Sequence, residues 1–252
     1  MIAYIIIAII SLLASLLTFF AGFGLGTILL PVIAIFFPIP IAVAITAFVH
    51  LFNNIFKLSM LYKSIDKKTV IRFGFLSIIG AFMGAYSLNH LPNYPIHFQY
   101  FNTTIQKIVF GSILIFFAFF EVVPILKNFK FNEKFLGFGG LLSGYMGGLS
   151  GHQGALRSAF LINLNLSKEA YIATGTAIAC LVDFTRIPFY FSNNYFSTVQ
   201  SEYKLIIVAT LAAFSGAYFG NFLFKKITID WVQYIVFGLL LIFGVLLFFG
   251  II

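Results

Sequence analysis

The chain alternates long apolar segments with short polar loops, and the length of each apolar segment predicts how it relates to a lipid bilayer. A helix that crosses the hydrocarbon core needs about 20 largely apolar residues. Two apolar segments, 24–37 and 154–165, reach only about 21 and 18 Å, and the sequence leaves open whether either crosses completely. Eight longer segments predict membrane-spanning helices: 2–20, 41–62, 69–90, 104–126, 134–150, 168–190, 203–223 and 231–252.

Composition places most of the chain in the bilayer. Hydrophobic residues make up 61% of the 252 residues and charged residues 9%, against about 25% charged residues in soluble domains. The mean hydropathy is +1.06. The only cysteine, Cys180, excludes an internal disulfide framework. Residues 1–20 lack a basic start and a small-residue cleavage site, so they predict a retained helix and not a signal peptide.

The net charge of +8 comes mainly from short loops between the apolar segments. Basic residues cluster at 63–68 with Arg72, at 127–134 and at 225–226. The positive-inside rule places such loops in the cytoplasm. Every predicted crossing then alternates correctly and both termini lie outside. Because the basic residues follow loops and not one exposed face, they do not indicate a nucleic-acid partner.

An internal duplication relates the two halves of the chain. The matched segments keep their order and are offset by about 127 to 136 positions, a spacing typical of a repeated unit. Three pairs carry the match: "IVFGSILIF" at 108–116 with "IVFGLLLIF" at 235–243, "GAFMGAY" at 80–86 with "GAYFGNF" at 216–222, and "AGFGLGT" at 21–27 with "LSGHQGA" at 149–155.

The duplication predicts the domain organisation. Residues 1–126 form a first membrane repeat, 127–133 a cytoplasmic linker and 134–252 a second repeat. Each half has five segments, an odd number, so the two repeats lie inverted in the membrane. The expected fold is therefore an all-α polytopic membrane protein with eight full crossings and two short helices in glycine-broken hairpins. Inverted repeats with short, glycine-interrupted segments are typical of transporters and mark their binding sites.

The glycine-rich breaks carry the first group of candidate substrate-binding residues. Glycines free backbone N–H groups, and the N-terminus of the helix that follows favours an anion. Arg157 lies in the first turn of its helix, where its charge opposes the helix dipole unless an anion or an acidic side chain is near. The alternative is that the glycines serve close packing and Arg157 snorkels or pairs structurally. The candidates are Gly24, Gly26, Gly151, His152, Gln153, Gly154 and Arg157.

A second group lies in "HLFNNIFK", where His50, Asn53, Asn54 and Lys57 recur along one helix face. Polar side chains within a membrane helix are functional candidates by default. The asparagines are expected to supply hydrogen bonds and Lys57 positive potential, although a snorkelling role for Lys57 stays open. Histidine changes charge in the physiological range, which makes His50 a candidate for proton coupling.

The third group, Asp183 and Arg186, lies in the helix that duplicates the His50 helix. One interpretation is that the two side chains neutralise each other at their i, i+3 spacing. The other makes Asp183 a proton carrier or the partner of Arg157, with Arg186 adding positive potential at the substrate site. The sequence leaves both open.

Two other functions compete with transport by a carrier. "GLSG" at 148–151 resembles the nucleophile segment of rhomboid-type intramembrane serine proteases, with Ser150 as nucleophile and His50 or His152 as base. Those residue types are common in membrane helices, and His152 is only two residues from Ser150. A channel for another small solute is the second alternative. The sequence contains no phosphate-binding loop for ATP and implies no metal or cofactor.

The sequence is similar to the TauE/SafE family of membrane permeases, the sulfite exporter-like proteins. The similarity spans nearly the whole chain and rests on "SGYMGGLSGHQGALRSAFL", "FFAGFGLGTILLPV" and "VHLFNNIFKL". It implies a multi-pass protein of the bacterial inner membrane that moves sulfite, organosulfonates or related anions, with coupling protons as possible partners and the oligomeric state open. Many members carry Gly-Gly-Gly followed by Pro in both halves, whereas this chain has Ala159 at that place in the second. The particular anion is therefore left open.

Overall fold

The structure is a bundle of helices joined by short connections. In this computed structural model, residues 2–19, 24–123, 131–191, 195–223 and 229–252 are described. Within them the helices are α1 Ile2–Thr18, α2 Leu25–Ala34, α3 Ile39–Leu61, α4 Lys67–His90, α5 Ile105–Val122, α6 Leu136–Ser150, α7 Gly154–Leu161, α8 Lys168–Phe191, α9 Tyr195–Ser201, α10 Tyr203–Leu223 and α11 Ile229–Phe248.

The α-helical membrane class is confirmed. Among the described residues, α3, α4, α8 and α10 are each long and apolar enough to cross a membrane. Three other apolar helices, α1, α5 and α11, coincide with predicted crossings but are shorter over their described apolar stretches. Eight crossings therefore remain a prediction. The predicted linker at 127–133 lies largely outside the described residues.

Two elements occur where the sequence predicted only loops. Pro95–His97 and Asn102–Thr104 pair as a short antiparallel hairpin, with Ile96 opposite Thr103. The helix α9 precedes α10. Both are short and lack the long apolar periodicity on which the predictions depended. The start of α3 at Ile39 is explained by Pro38 at the N-cap and Pro40 at the second helical position, where a missing N–H costs little.

The predicted short segments are short helices that complete two hairpins. α2 has 10 residues and α7 has 8, which corresponds to about 15 and 12 Å. α6 ends at Gly151, whose φ of 81° reverses the chain before α7 begins. Helices of this length do not cross a hydrocarbon core of about 30 Å. The start of α2 at Gly24 and the break at residues 151–153 are buried in the interior of the bundle.

Glycines allow α4 and α6 to pack with their backbones in contact. A Cβ on Gly140, Gly144 or Gly148 of α6 would collide with a main-chain carbonyl of α4, for Gly144 that of Ser77. Gly80 of α4 meets the backbone of α6 in the same way. Small residues at every fourth position permit this approach in membranes. The α4–α6 pair is consequently held closer than larger side chains would allow.

The helix pairs set the positions of the elements that carry polar side chains. α1 packs on α10, α6 on α4, α5 on α11, and α3 on α8. In the most apolar stretch of α3, 78% of the residues are buried, and in α8 67%, against 44% in α4 and 39% in α10. α3 and α8 are therefore the central helices. Every charged side chain that is buried among the described residues lies on α3, α7 or α8.

Candidate functional site

A cavity lies inside the bundle where α3, α7 and α8 meet the end of α1 and the start of α2. Its volume is about 40 Å³. Since one water needs about 10–15 Å³, the space suits an occupant of about three to four heavy atoms. The predicted residues that line it are Gly24, His50, Asn54, Lys57 and Arg157.

Lys57 and Arg157 are the two cationic side chains of this cavity, and both are almost fully buried. Their exposed fractions are 5% and 7%. The Nζ atom of Lys57 lies 5.3 Å from the centre of the Phe19 ring, a cation–π contact. Arg157 Nη1 donates a hydrogen bond of 3.4 Å to Gln153 Oε1. Among the described side chains, no carboxylate lies within 4 Å of either cation.

His50, Asp183 and Arg186 form a chain of charged and polar groups that joins α3 to α8. His50 Nδ1 lies 2.6 Å from Asp183 Oδ2 and donates to it, because a carboxylate only accepts. Arg186 Nε donates to Asp183 Oδ1 at 2.9 Å, and Nη2 lies 2.8 Å from the same oxygen. Asn54 Nδ2 lies 3.3 Å from His50 Nε2. Asp183 is thus engaged at both oxygens.

Arg186 connects this chain to the second glycine break. Its Nη1 donates a 2.9 Å hydrogen bond to the carbonyl of Gly147, near the end of α6. A Cβ on Gly151 would lie 3.0 Å from the same Nη1. The structure therefore supports the interpretation that Asp183 and Arg186 neutralise each other, with the guanidinium packed under the hairpin. Neither side chain lines the cavity.

The two glycine breaks approach each other at the inner end of the cavity. A Cβ on Gly26 would lie 3.8 Å from the carbonyl oxygen of Gly151, so the first hairpin reaches the second. A Cβ on Gly24 would lie 3.0 Å from His50 Nε2. Glycine at both positions leaves room for the imidazole between the hairpin and α3. The described parts of the two breaks therefore meet beside His50.

The remaining predicted residues are buried next to the cavity without lining it. His152 stacks on the Phe117 ring, with centroids 5.6 Å apart. Gln153 is fully buried, and its backbone carbonyl accepts a 3.0 Å hydrogen bond from Ser143. Asn53 Oδ1 accepts a 3.0 Å hydrogen bond from Ser15 and ties α3 to α1. Gly154 begins α7.

Several lining residues were not predicted from the sequence. α7 contributes Ser158 beside Arg157, and α8 contributes Tyr171, Gly175 and Thr176. Tyr171 and Gly175 recur at i, i+4 on one face of α8, a spacing that marks a shared face once the helix is known to be central. A Cβ on Gly175 would lie 3.2 Å from Arg157 Nε. This glycine therefore provides the room that the guanidinium occupies.

The geometry at Ser150 does not assemble a nucleophile. Its hydroxyl donates a 3.0 Å hydrogen bond to the carbonyl of Met146, and the side chain is buried away from the cavity. His152 Nδ1 lies 3.2 Å from Ser150 Oγ. Among the described residues, no group bonds to His152 Nε2, so no carboxylate orients the ring as a base requires.

The helical fold defines a multi-pass membrane protein, and the cavity that Lys57 and Arg157 face lies among its central helices. The chain belongs to the sulfite exporter TauE/SafE family, whose family model matches residues 7–247. The resemblance found in the sequence is thereby confirmed over nearly the whole chain. At the level of the family, the protein is a transporter and not an enzyme. No curated protein and no solved structure matches the chain.

Proposed function

We propose that the protein is a secondary transporter that carries a small sulfur oxyanion such as sulfite across the bacterial inner membrane. The observation that carries the proposal is the pair of buried cations, Lys57 and Arg157, that face one small cavity with no described carboxylate beside them. An ion removed from water costs several kcal/mol unless a counter-charge compensates it. A bound anion supplies that counter-charge.

The side chains of the cavity suit an oxyanion. The guanidinium of Arg157 presents several N–H donors in a planar fork that matches two oxygens of one anion. Lys57 adds a compact charge with three donors. His50 and Asn54 also bring nitrogen atoms to the cavity. Sulfite has four heavy atoms, which agrees with the size of the cavity.

The structure supports different roles for the other predicted residues. Gln153 holds Arg157 through its amide oxygen, and Asp183 with Arg186 fixes the second hairpin against α8. Because both oxygens of Asp183 accept from a neighbouring side chain, proton coupling is assigned to His50, which lines the cavity. In this proposal the anion contacts Lys57, Arg157, His50 and Asn54, and the other predicted residues position them.

The pairing of helices supports inverted repeats and a carrier mechanism. The duplication matches α1 with α6, α3 with α8, α4 with α10 and α5 with α11. Under this matching, the contact between α1 and α10 corresponds to the contact between α6 and α4, and the contacts α3–α8 and α5–α11 each correspond to themselves. Two related units around one central site are the arrangement in which carriers expose the site to each side in turn. This arrangement favours a carrier over a channel.

The position of the cavity along α3 and α8 indicates which side of the membrane it is nearer to. Its lining runs from His50 to Lys57 on α3 and from Tyr171 to Thr176 on α8. Those are the halves of the two helices nearest the basic loop at 63–68 and Lys168. With basic loops in the cytoplasm, the cavity lies in the cytoplasmic half of the protein, and both termini lie outside.

The test is flux of radiolabelled sulfite into proteoliposomes that contain the purified protein. We expect saturable uptake above that of empty liposomes. Arg157→Gln should weaken the apparent affinity by about tenfold or more, because a hydrogen bond to a charged group is worth about 1.5–3 kcal/mol. Arg72→Gln is the matched control, since Arg72 is exposed on α4. Sulfite uptake no faster than in empty liposomes would refute the proposed function, and an unchanged Arg157→Gln variant would remove Arg157 from the site.

A further inference from the structure

We propose that the cavity selects its anion by charge and takes a dianion in preference to a monoanion of the same shape. The inference rests on the proposed function and deepens it, because it names the charge state of the substrate. The feature that carries it is the number of uncompensated positive charges that face the cavity. Among the described side chains that number is two, from Lys57 and Arg157.

Five other ionisable groups of α3 and α8 do not lower this count. Asp183 and Arg186 lie within an ion pair of 2.8 Å and cancel each other. His50 donates to Asp183 through Nδ1 in either of its protonation states, so its neutral form adds nothing and its protonated form adds a third positive charge. Tyr171 on α8 is neutral at physiological pH. Glu169, the other described acidic residue of α8, is exposed at the start of the helix.

Residues 20–23, between α1 and α2, carry no ionisable side chain, since they are Phe20, Ala21, Gly22 and Phe23. A monoanion would therefore leave one buried positive charge without compensation. A dianion neutralises both cations, which are buried within the bundle. Electrostatic interactions are stronger in such low-dielectric surroundings than in water. The difference of one charge thus separates two anions that the shape of the cavity accepts equally.

The two positive charges come from two different helices. Arg157 comes from α7, where Gln153 and the bare backbone at Gly175 hold its guanidinium. Lys57 comes from α3, where its Nζ lies over the Phe19 ring. Phe19 carries no charge, so this contact holds the ammonium group without neutralising it. Removing the charge of Lys57 therefore leaves one positive charge at the cavity, and the guanidinium of Arg157 keeps its position.

The test compares sulfite with chlorate, a pyramidal oxyanion of the same shape that carries one negative charge in place of two. Sulfite uptake into proteoliposomes is measured at slightly alkaline pH and constant ionic strength, with chlorate and unlabelled sulfite as competitors. Chlorate is less strongly hydrated and loses its water more readily, so hydration alone would favour it. We expect wild-type protein to prefer sulfite by at least about tenfold, the value of one charged hydrogen bond.

The variants then assign the preference to Lys57. Lys57→Gln should reduce the ratio of the two inhibition constants by at least about tenfold, and Lys57→Arg should retain it. Thermal stabilisation of the detergent-solubilised variants by each anion gives the same ratio without requiring transport. Equal competition by chlorate and sulfite in wild-type protein, with sulfite still transported, would overturn the inference and leave the proposed function intact. A ratio unchanged in Lys57→Gln would also overturn it. Absence of sulfite transport and binding in wild-type protein would refute both.

Discussion

Asp183→Asn is the substitution with the largest expected effect on stability, because it breaks a buried ion pair without changing the shape of the side chain. Asp183 is fully buried and lies within 2.6 to 2.9 Å of one His50 nitrogen and two Arg186 nitrogens. The neutral amide leaves Arg186 with the carbonyl of Gly147 and no counter-charge. Removing one partner of a buried pair typically costs about 3–5 kcal/mol.

The double variant Asp183→Leu/Arg186→Met separates charge from packing. Apolar residues of similar volume leave no ion unpaired, and such replacements are often close to neutral or stabilising. We therefore expect the double variant to recover most of the stability that Asp183→Asn loses. In a double-mutant cycle with Asp183→Leu and Arg186→Met as the single variants, the two changes in unfolding free energy should be strongly non-additive.

The assay is reversible unfolding in detergent, followed by circular dichroism as denaturant is added. Glu169→Gln is the matched control, since it removes an exposed carboxylate from the first turn of the same helix and should cost less than about 1 kcal/mol. If Asp183→Asn unfolds within about 1 kcal/mol of wild type, or if the double variant loses the sum of the single losses, the ion pair does not stabilise the fold as argued.

Three smaller predictions follow from the glycines and one loop. Gly175→Ala should weaken the apparent affinity for sulfite, because its Cβ would lie 3.2 Å from Arg157 Nε, whereas Gly238→Ala should have no effect on flux since nothing lies within 4 Å of the new methyl group. Gly151→Ala should lower the free energy of unfolding by about 1–2 kcal/mol, because its φ of 81° is unfavourable for residues with a Cβ, and an unchanged unfolding midpoint would contradict this. Hydrogen bonds from Thr69 lower the pKa of Asp66 below its ordinary value. Its capping of α4 should therefore be complete above about pH 4 and weaken as the pH falls through the lowered pKa, which amide hydrogen exchange at the start of α4 would measure in comparison with Asp66→Ala.

The sequence was sufficient to predict the long apolar helices and the two short ones after the glycine breaks, because apolar length and glycine breaks are local properties. The segment predicted at 168–190 is α8, and the short segment at 154–165 contains α7. Lys57 and Arg157 were also predicted as site residues, since a charge within an apolar helix is costly unless something compensates it. These are properties of single segments and do not depend on how the segments pack.

The directions in which neighbouring side chains point could not be predicted from the properties of single segments. Asn53 and Asn54 differ by one position, yet the first bonds to Ser15 of α1 and the second lines the cavity. Helix geometry fixes the angle between them, but only the packing of α1 and α8 against α3 decides which one faces the cavity. His152 likewise stacks on Phe117, a contact with a helix from the other half of the chain. Tertiary packing, and not local pattern, determines both.

The glycine contacts between α4 and α6 have a consequence for motion. Because Gly140, Gly144 and Gly148 set the two backbones in direct contact, we expect the two helices to move together. The pair would then move as one rigid unit, together with the hairpin α6–α7 and Arg157. Spectroscopic labels placed across α4 and α6 should report a constant separation during turnover. The conformational change of transport should then occur where this pair of helices contacts α3 and α8.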